Sequence, residues 1–376
     1  MRAGGQGRKD GNAEALAAAQ ACATFDSRPV EEGIAMDVIR EAPTITIGQA
    51  GLGYWGPNVL RNFVNLAECR VKKCCDIDAQ QLEKIKRRYP LIELTQDYNE
   101  LVNDPEVEAI VITTPAFTHY QLARKALEAG QHVFVEKPIT LAIGEAEELI
   151  DLAERRRQVL MVGHLLIYHP AVTKLKEYID GGEFGEIRYI YSSRLNLGKI
   201  RHDENAMWSF APHDLSVALY LLGEEPEAVS AQGMAYLRPD VEDVVFMMVR
   251  FPQGKVAHLH VSWLDPHKVR RITVVGSKKM AVFDDMESSE KLRIYDKGVD
   301  ELHYSSYGEF LTLRFGDIYI PKIDMKEPLQ LECQHFLDCI RNRQRPLSDG
   351  LEGLQVLKIL DAAQRSLKND GQLVKI

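Results

Sequence analysis

Thr44-Ile-Thr-Ile-Gly-Gln-Ala-Gly-Leu-Gly-Tyr-Trp-Gly56 is the stretch whose reading decides the fold. Its first half predicts a buried strand. Gly51, Gly53 and Gly56 form a Gly-x-Gly-x-x-Gly turn that opens a helix at Pro57. Gly51 permits the tight turn, Gly53 lets backbone amides approach a pyrophosphate, and Gly56 lets the helix pack on the sheet. The helix N-terminus then offers free amides and a positive dipole end to phosphates.

Downstream, Val71 to Cys75 reads as a second apolar strand, and Asp76 ends it twenty residues after Gly56. An acid there hydrogen-bonds the adenosine ribose hydroxyls. The carboxylate would repel a 2′-phosphate, and Ile77 is not the arginine that would neutralise one, so the expected cofactor is NAD over NADP.

Further on, helical patterns alternate with apolar strands. Helices are expected at Ala79 to Tyr89, around Tyr98, at Thr118 to Ala129 and at Gly144 to Arg156; strands at Ala109 to Thr113, His132 to Val135 and Val159 to Val162. That alternation means a parallel, doubly wound sheet, with the loops at Gly51, Asp76, Thr114 and Glu136 converging beyond the strands' carboxyl ends. After about residue 165 the pattern changes. A helix from Ala171 to Ile179 precedes strands at Ile187 to Leu195, Ala228 to Leu237, Val241 to Phe251, Lys255 to Trp263 and Val269 to Val275. The fold class is therefore α/β: an N-terminal Rossmann sheet and a C-terminal α+β domain with a large, open, mostly antiparallel sheet. Three parts are expected: residues 1–43 as a disordered extension, with Met36 as an alternative start, 44–165 as the NAD-binding domain, and 166–376 as the substrate-binding and oligomerisation domain. An open sheet face needs cover, so a homodimer or homotetramer is expected.

Composition sets outer limits. With 376 residues the chain can bury two cores, and a net charge of −9 argues against nucleic-acid and membrane-surface partners. The six cysteines form no Cys-x-x-Cys pair, which fits a reducing cytosol, and no apolar run reaches the ~20 residues of a membrane span. His258 and His260 share one strand face without a nearby third ligand, so no metal is expected and both read as core or sheet-surface residues.

The chain resembles the glucose-fructose oxidoreductase, inositol dehydrogenase and rhizopine-catabolism (Gfo/Idh/MocA) group of NAD(P)-dependent oxidoreductases. The residues that carry the resemblance are Gly51-Leu-Gly-Tyr-Trp-Gly56, Thr114-Pro115 with His119, Glu136-Lys137-Pro138, Gly163-His164, Tyr168-His169-Pro170, Ala211-Pro-His-Asp-Leu215 and Arg345-Pro-Leu-Ser-Asp-Gly350. Gly53-Tyr-Trp-Gly-Pro-Asn58 and Asn196-Leu-Gly-Lys-Ile-Arg201 look most like dehydrogenases acting on UDP-N-acetylated sugars or sugar acids, such as a UDP-N-acetylhexosamine or its uronate. The resemblance implies hydride transfer between a sugar ring alcohol, at C3 for example, and the nicotinamide. It implies Lys137 as polarising partner and His213 as base, a neutral imidazole suiting the first turn of a helix opened by Pro212. Tyr54, Trp55, Thr113, Thr114, Pro115, His119, Glu136 and Lys137 would line the cofactor. Tyr168, Arg194, Asn196, Lys199, His213 and Asp214 would meet substrate, although the basic loop also reads as solvated and Asp214 as a helix-dipole residue. The family's aspartate four residues before the histidine is Ser209 here, which leaves the imidazole's partner open, and Gln49 is a polar residue in an apolar strand. The alternatives are an inositol or free-sugar dehydrogenase, a ketosugar reductase, and a silent NAD-binding regulator, which should lack Lys137.

Overall fold

The computed structural model describes residues 44–198, 204–299 and 313–376. Residues 1–43, and with them the expected extension, lie outside the described residues. Strands and helices alternate first: β1 (Ile45–Ala50), α1 (Gly56–Val64), β2 (Cys69–Cys75), α2 (Ala79–Arg88), β3 (Glu93–Thr95), α3 (Tyr98–Val102), β4 (Ala109–Ile112), α4 (His119–Glu128), β5 (His132–Glu136), α5 (Ile143–Arg156) and β6 (Leu160–Gly163). The strands pair in parallel in the order β3-β2-β1-β4-β5-β6. The order reverses between β1 and β4, where a doubly wound sheet opens the crevice that takes a ligand.

The second part follows: α6 (Pro170–Asp180), β7 (Ile187–Leu195), α7 (Ala206–Leu222), β8 (Ala228–Met234), β9 (Val244–Arg250), β10 (Val256–Ser262), β11 (Val269–Gly276), β12 (Met280–Asp284), β13 (Leu292–Val299), β14 (Leu313–Tyr319), α8 (Pro328–Asn342), α9 (Gly350–Leu367) and β15 (Val374–Lys375). Its nine described strands form one sheet, β14-β13-β12-β11-β7-β10-β9-β8-β15, antiparallel except for β7 with β10. Alternation assigns its faces. Ala257, Leu259 and Val261 of β10 are buried with Leu215 and Leu219 of α7 and Ile359 of α9, while Tyr189, Tyr191, Phe246 and Met248 stand exposed on the other face. There Phe246 stacks on His260 with ring centroids 4.3 Å apart.

The last helices return to the first sheet. Phe336 of α8 meets Phe63 of α1 and Phe134 of β5 edge-on, at 6.2 and 5.7 Å between centroids. Leu354 and Leu357 of α9 join the core of Val133 and Val162. Ser348 and Asp349 explain the closing motif. The Ser348 hydroxyl donates to the Val162 carbonyl at 2.7 Å, and the Asp349 carboxylate caps α9 by accepting from the Glu352 amide at 2.9 Å.

Candidate active site

The glycine turn is held in place by steric limits and by one buried amide. Gly51 has φ +93°, and a Cβ there would lie 2.6 Å from the Thr113 backbone; a Cβ at Gly56 would lie 2.3 Å from the Gly51 carbonyl oxygen. At Gly53 nothing stands within 4 Å, so the space beside its backbone is open to a ligand. The polar residue in β1 has its reason here: Gln49 Nε2 donates to the carbonyls of Gly56 at 2.9 Å and Gly51 at 3.2 Å and to Thr113 Oγ1 at 3.1 Å. Thr113 Oγ1 in turn donates to the Gly51 carbonyl at 2.6 Å. Asp76 stands at the end of β2, its carboxylate accepting from the amides of Leu52 at 2.6 Å and Asp78 at 2.8 Å.

The other loops close on the same crevice. Trp55 Nε1 donates to Glu136 Oε1 at 2.7 Å, which joins the first loop to the end of β5. Glu136 is paired with Gly163 across β5 and β6, and its carboxyl fills the space a Cβ at Gly163 would take, 3.0 Å from Cδ. Burial raises the Glu136 carboxyl above the usual range, against the Lys137 ammonium that lowers it. His119 is buried between the Pro138 carbonyl, 2.7 Å from Nδ1, and the Thr114 carbonyl, 2.9 Å from Nε2. It ties two loops together. The Thr114 hydroxyl meets that of Thr118 at 2.7 Å, and Pro115 starts the turn before α4. Tyr54 is 93 % exposed.

Lys137 and His213 are brought to one place by helix geometry. Lys137 Nζ donates to the Ser209 carbonyl at 3.2 Å, and Ser209 and His213 lie four residues apart on one face of α7. The expected helix start at Pro212 is corrected. Helix α7 begins at Ala206, capped by the Asn205 side chain, and Pro212 lies inside it, so His213 is two turns from the positive dipole end. The imidazole is neutral for other reasons. Burial lowers its pKa well below 6.5, and the nearby charges of Lys137, Arg194, His164 and Arg270 lower it further. Among the described residues His213 Nδ1 has no hydrogen-bond partner.

Asp214 is not that partner, because it is held by Arg194. The guanidinium donates from Nε at 2.7 Å and from a terminal nitrogen at 2.9 Å to the two carboxylate oxygens, with both residues at 5 % exposure or less. The pair expected to meet substrate is thus directed inward and fixes α7 against β7. Tyr168, also expected at substrate, is buried, and its hydroxyl meets that of Ser348 at 2.8 Å. Asn196 leads into the polar loop, its backbone N–H donating a hydrogen bond to the Ser262 carbonyl at 3.1 Å, while Lys199 and Arg201 lie outside the described residues.

Two groups were given no role by the sequence reading, His164 although its motif carries the resemblance, and Arg270 altogether. His164 Nδ1 is paired with Glu352 of α9, a contact between residues 188 apart. Arg270 faces the core side of β11 with Ile272 and Val274, and an arginine in phase with apolar residues was the signal available.

The open cradle at Gly53 and the acid at Asp76 fit a dinucleotide, and the comparisons agree. Residues 45–164 match the NAD-binding Rossmann fold of the GFO/IDH/MocA oxidoreductase family, and residues 172–282 match the GFO/IDH/MocA C-terminal domain. UDP-N-acetylglucosamine 3-dehydrogenase of Acidithiobacillus ferrooxidans is 32% identical over 67% of this chain and 76% of its own. Its solved structure superposes with a TM-score of 0.75, covering 87% of this chain and 98% of that one at 27% identity. The NAD(+)-dependent scyllo-inositol 2-dehydrogenase of Bacillus subtilis is 27% identical over 85% of this chain and 93% of its own. This chain belongs to the GFO/IDH/MocA family of NAD-binding oxidoreductases.

Proposed function

We propose that this protein oxidises a secondary alcohol of a sugar ring, with a nucleotide-linked N-acetylhexosamine or its uronate as substrate and His213 and Lys137 as the working pair. One observation carries this reading: a neutral imidazole, its Nδ1 without a partner among the described residues, stands on the same helix face as the carbonyl that the Lys137 ammonium reaches. Bound NAD, cradled by Gly51 to Gly56 and Asp76, supplies the hydride acceptor. His213 takes the hydroxyl proton as the C–H bond breaks and the ketone forms. Lys137 stabilises the developing negative charge on oxygen. Burial and the cations around His213 disfavour an imidazolium there, so the proton taken from the alcohol passes on to solvent and the base is reset.

The similarity to the UDP-N-acetylglucosamine enzyme supports the nucleotide-sugar reading. The inositol dehydrogenase similarity supports an inositol or free-sugar substrate as second reading. The exposed apolar row of Tyr189, Tyr191, Phe246 and Met248 supports a homodimer or homotetramer joined through the open sheet face. Five described cysteines are free, which supports a reducing, cytosolic setting. No described helix is long and apolar enough to cross a membrane.

The test is reduced-nicotinamide absorbance with NAD against UDP-sugars, free sugars and inositols. Turnover of a UDP-sugar that disappears in Lys137→Ala and His213→Ala, with both variants folded and still binding NAD by calorimetry, supports the reading. Turnover that survives both substitutions overturns the assigned roles. Binding of NAD without turnover of any sugar favours the regulator.

A further inference from the structure

In the antiparallel pair of β7 and β11, Arg270 stands directly opposite Arg194. Both project to the helix-covered face, in register with the core residues Ile190, Ile272 and Val274. Like charges in that position repel. Arg194 is neutralised by the bidentate grip of Asp214. Arg270 is not: among the described residues its guanidinium donates no hydrogen bond and forms no ion pair. The acids that act on it through space, Asp285 and Asp214, are engaged elsewhere, Asp285 with Lys291 at 3.5 Å and with His169 at 3.6 Å. Burial and the Arg194 charge both oppose its ionised state. Its charge also reaches the imidazole of His213.

A half-buried guanidinium set directly across the strand pair from another arginine, its charge felt at the proposed base, is costly to keep without an anion. We propose that Arg270 recognises an oxyanion of the substrate, a uronate carboxylate or a nucleotide diphosphate, and so restricts the enzyme to anionic sugars. This rests on the sugar-oxidising reading of His213 and Lys137. An anion at Arg270 would also offset one of the charges that depress His213, tying substrate recognition to the strength of the base. A planar fork with five donors suits either oxyanion.

The experiment is calorimetry on the NAD-loaded full-length protein with UDP-N-acetylglucosamine, D-glucuronate and myo-inositol, in wild type, Arg270→Met, Arg270→Gln and Arg270→Lys. The neutral variants should bind at least one of the two anionic probes ten-fold or more weakly, with Arg270→Lys recovering part of the loss. Loss confined to glucuronate identifies the carboxylate; loss confined to the UDP-sugar identifies the diphosphate. Equal affinity of all four proteins for both anions overturns the proposal, as does a wild type that binds neither, or a loss for myo-inositol as large as for the anions. Circular dichroism melts show which variants are folded; removing the charge opposite Arg194 should leave the melting temperature at or above that of wild type. Anion binding that depends on Arg270 in a protein that turns over no sugar would sink the sugar-oxidising reading and leave the anion site standing.

Discussion

Replacing Asp214 by alanine removes the carboxylate from a pair held at 2.7 and 2.9 Å, and leaves the Arg194 guanidinium, 5 % exposed, facing a second arginine across the strand pair. Breaking a buried ion pair from one side costs about 3–5 kcal/mol, because the surviving charge keeps its desolvation penalty without its counter-charge. For a body of about 330 residues the unfolding entropy is roughly 0.7 kcal/mol/K, so the melting temperature should fall by about 4–7 °C. Scanning calorimetry measures this, with urea titration as a second reading. The double variant Arg194→Met with Asp214→Leu, which removes both charges, should recover most of the loss. A drop below about 1.5 °C, or roughly 1 kcal/mol, in Asp214→Ala refutes the reasoning, since Arg194 would then be reaching solvent or another acid.

Gly56→Ala should destabilise the fold by about 1–3 kcal/mol, because its Cβ meets a backbone oxygen that cannot move aside. Gly53→Ala should melt within a degree or two of wild type yet weaken NAD binding at least ten-fold, since its Cβ would occupy only the open cradle. His132 accepts from the Val159 amide through Nδ1 at 2.9 Å, and burial lowers its pKa to about 4. The unfolded chain therefore takes up this proton first. The associated stability is fully present above pH 6.5 and is lost as pH falls toward 4, by up to about 3 kcal/mol. His132→Asn, which keeps an acceptor, should flatten that part of the melting-temperature profile. Tyr191→Asp combined with Met248→Asp places charge on the exposed sheet face and should shift the mass seen by light scattering to that of a single chain; an unchanged mass would exclude this face as the interface.

Local signals carried much of the first sheet. The glycine spacing, the acid ending β2 and the helix stops all lie within a few residues of the geometry they specify, so β1, β2, β4, β5 and β6 fall close to where the patterns predict, while the three-residue edge strand β3 is too short to show an alternation and was not foreseen. The strands beyond β11 escaped prediction. In β13 the alternation of buried Leu292 and Ile294 stops after Tyr295, β15 has only two residues, and neither shows a sustained alternation. Helix α7 was legible as a helix, but its start was misplaced, because proline marks a first turn by local preference while this one is tolerated inside.

By itself the sequence determined the class of molecule, because a nucleotide-binding turn is written in residues that are neighbours in the chain: Gly51, Gly53, Gly56 and the acid one strand later. The tertiary structure alone decided what the charged residues do. Arg194 and Asp214 sit on different elements and look like substrate ligands until β7 and α7 bring them together. Arg270 stands opposite another arginine, without an ion pair among the described residues, through the register of β11 on β7, and His213 owes its neutral state to burial and to charges from four separate segments. Electrostatic roles depend on distances and burial, which are set between segments far apart in the chain.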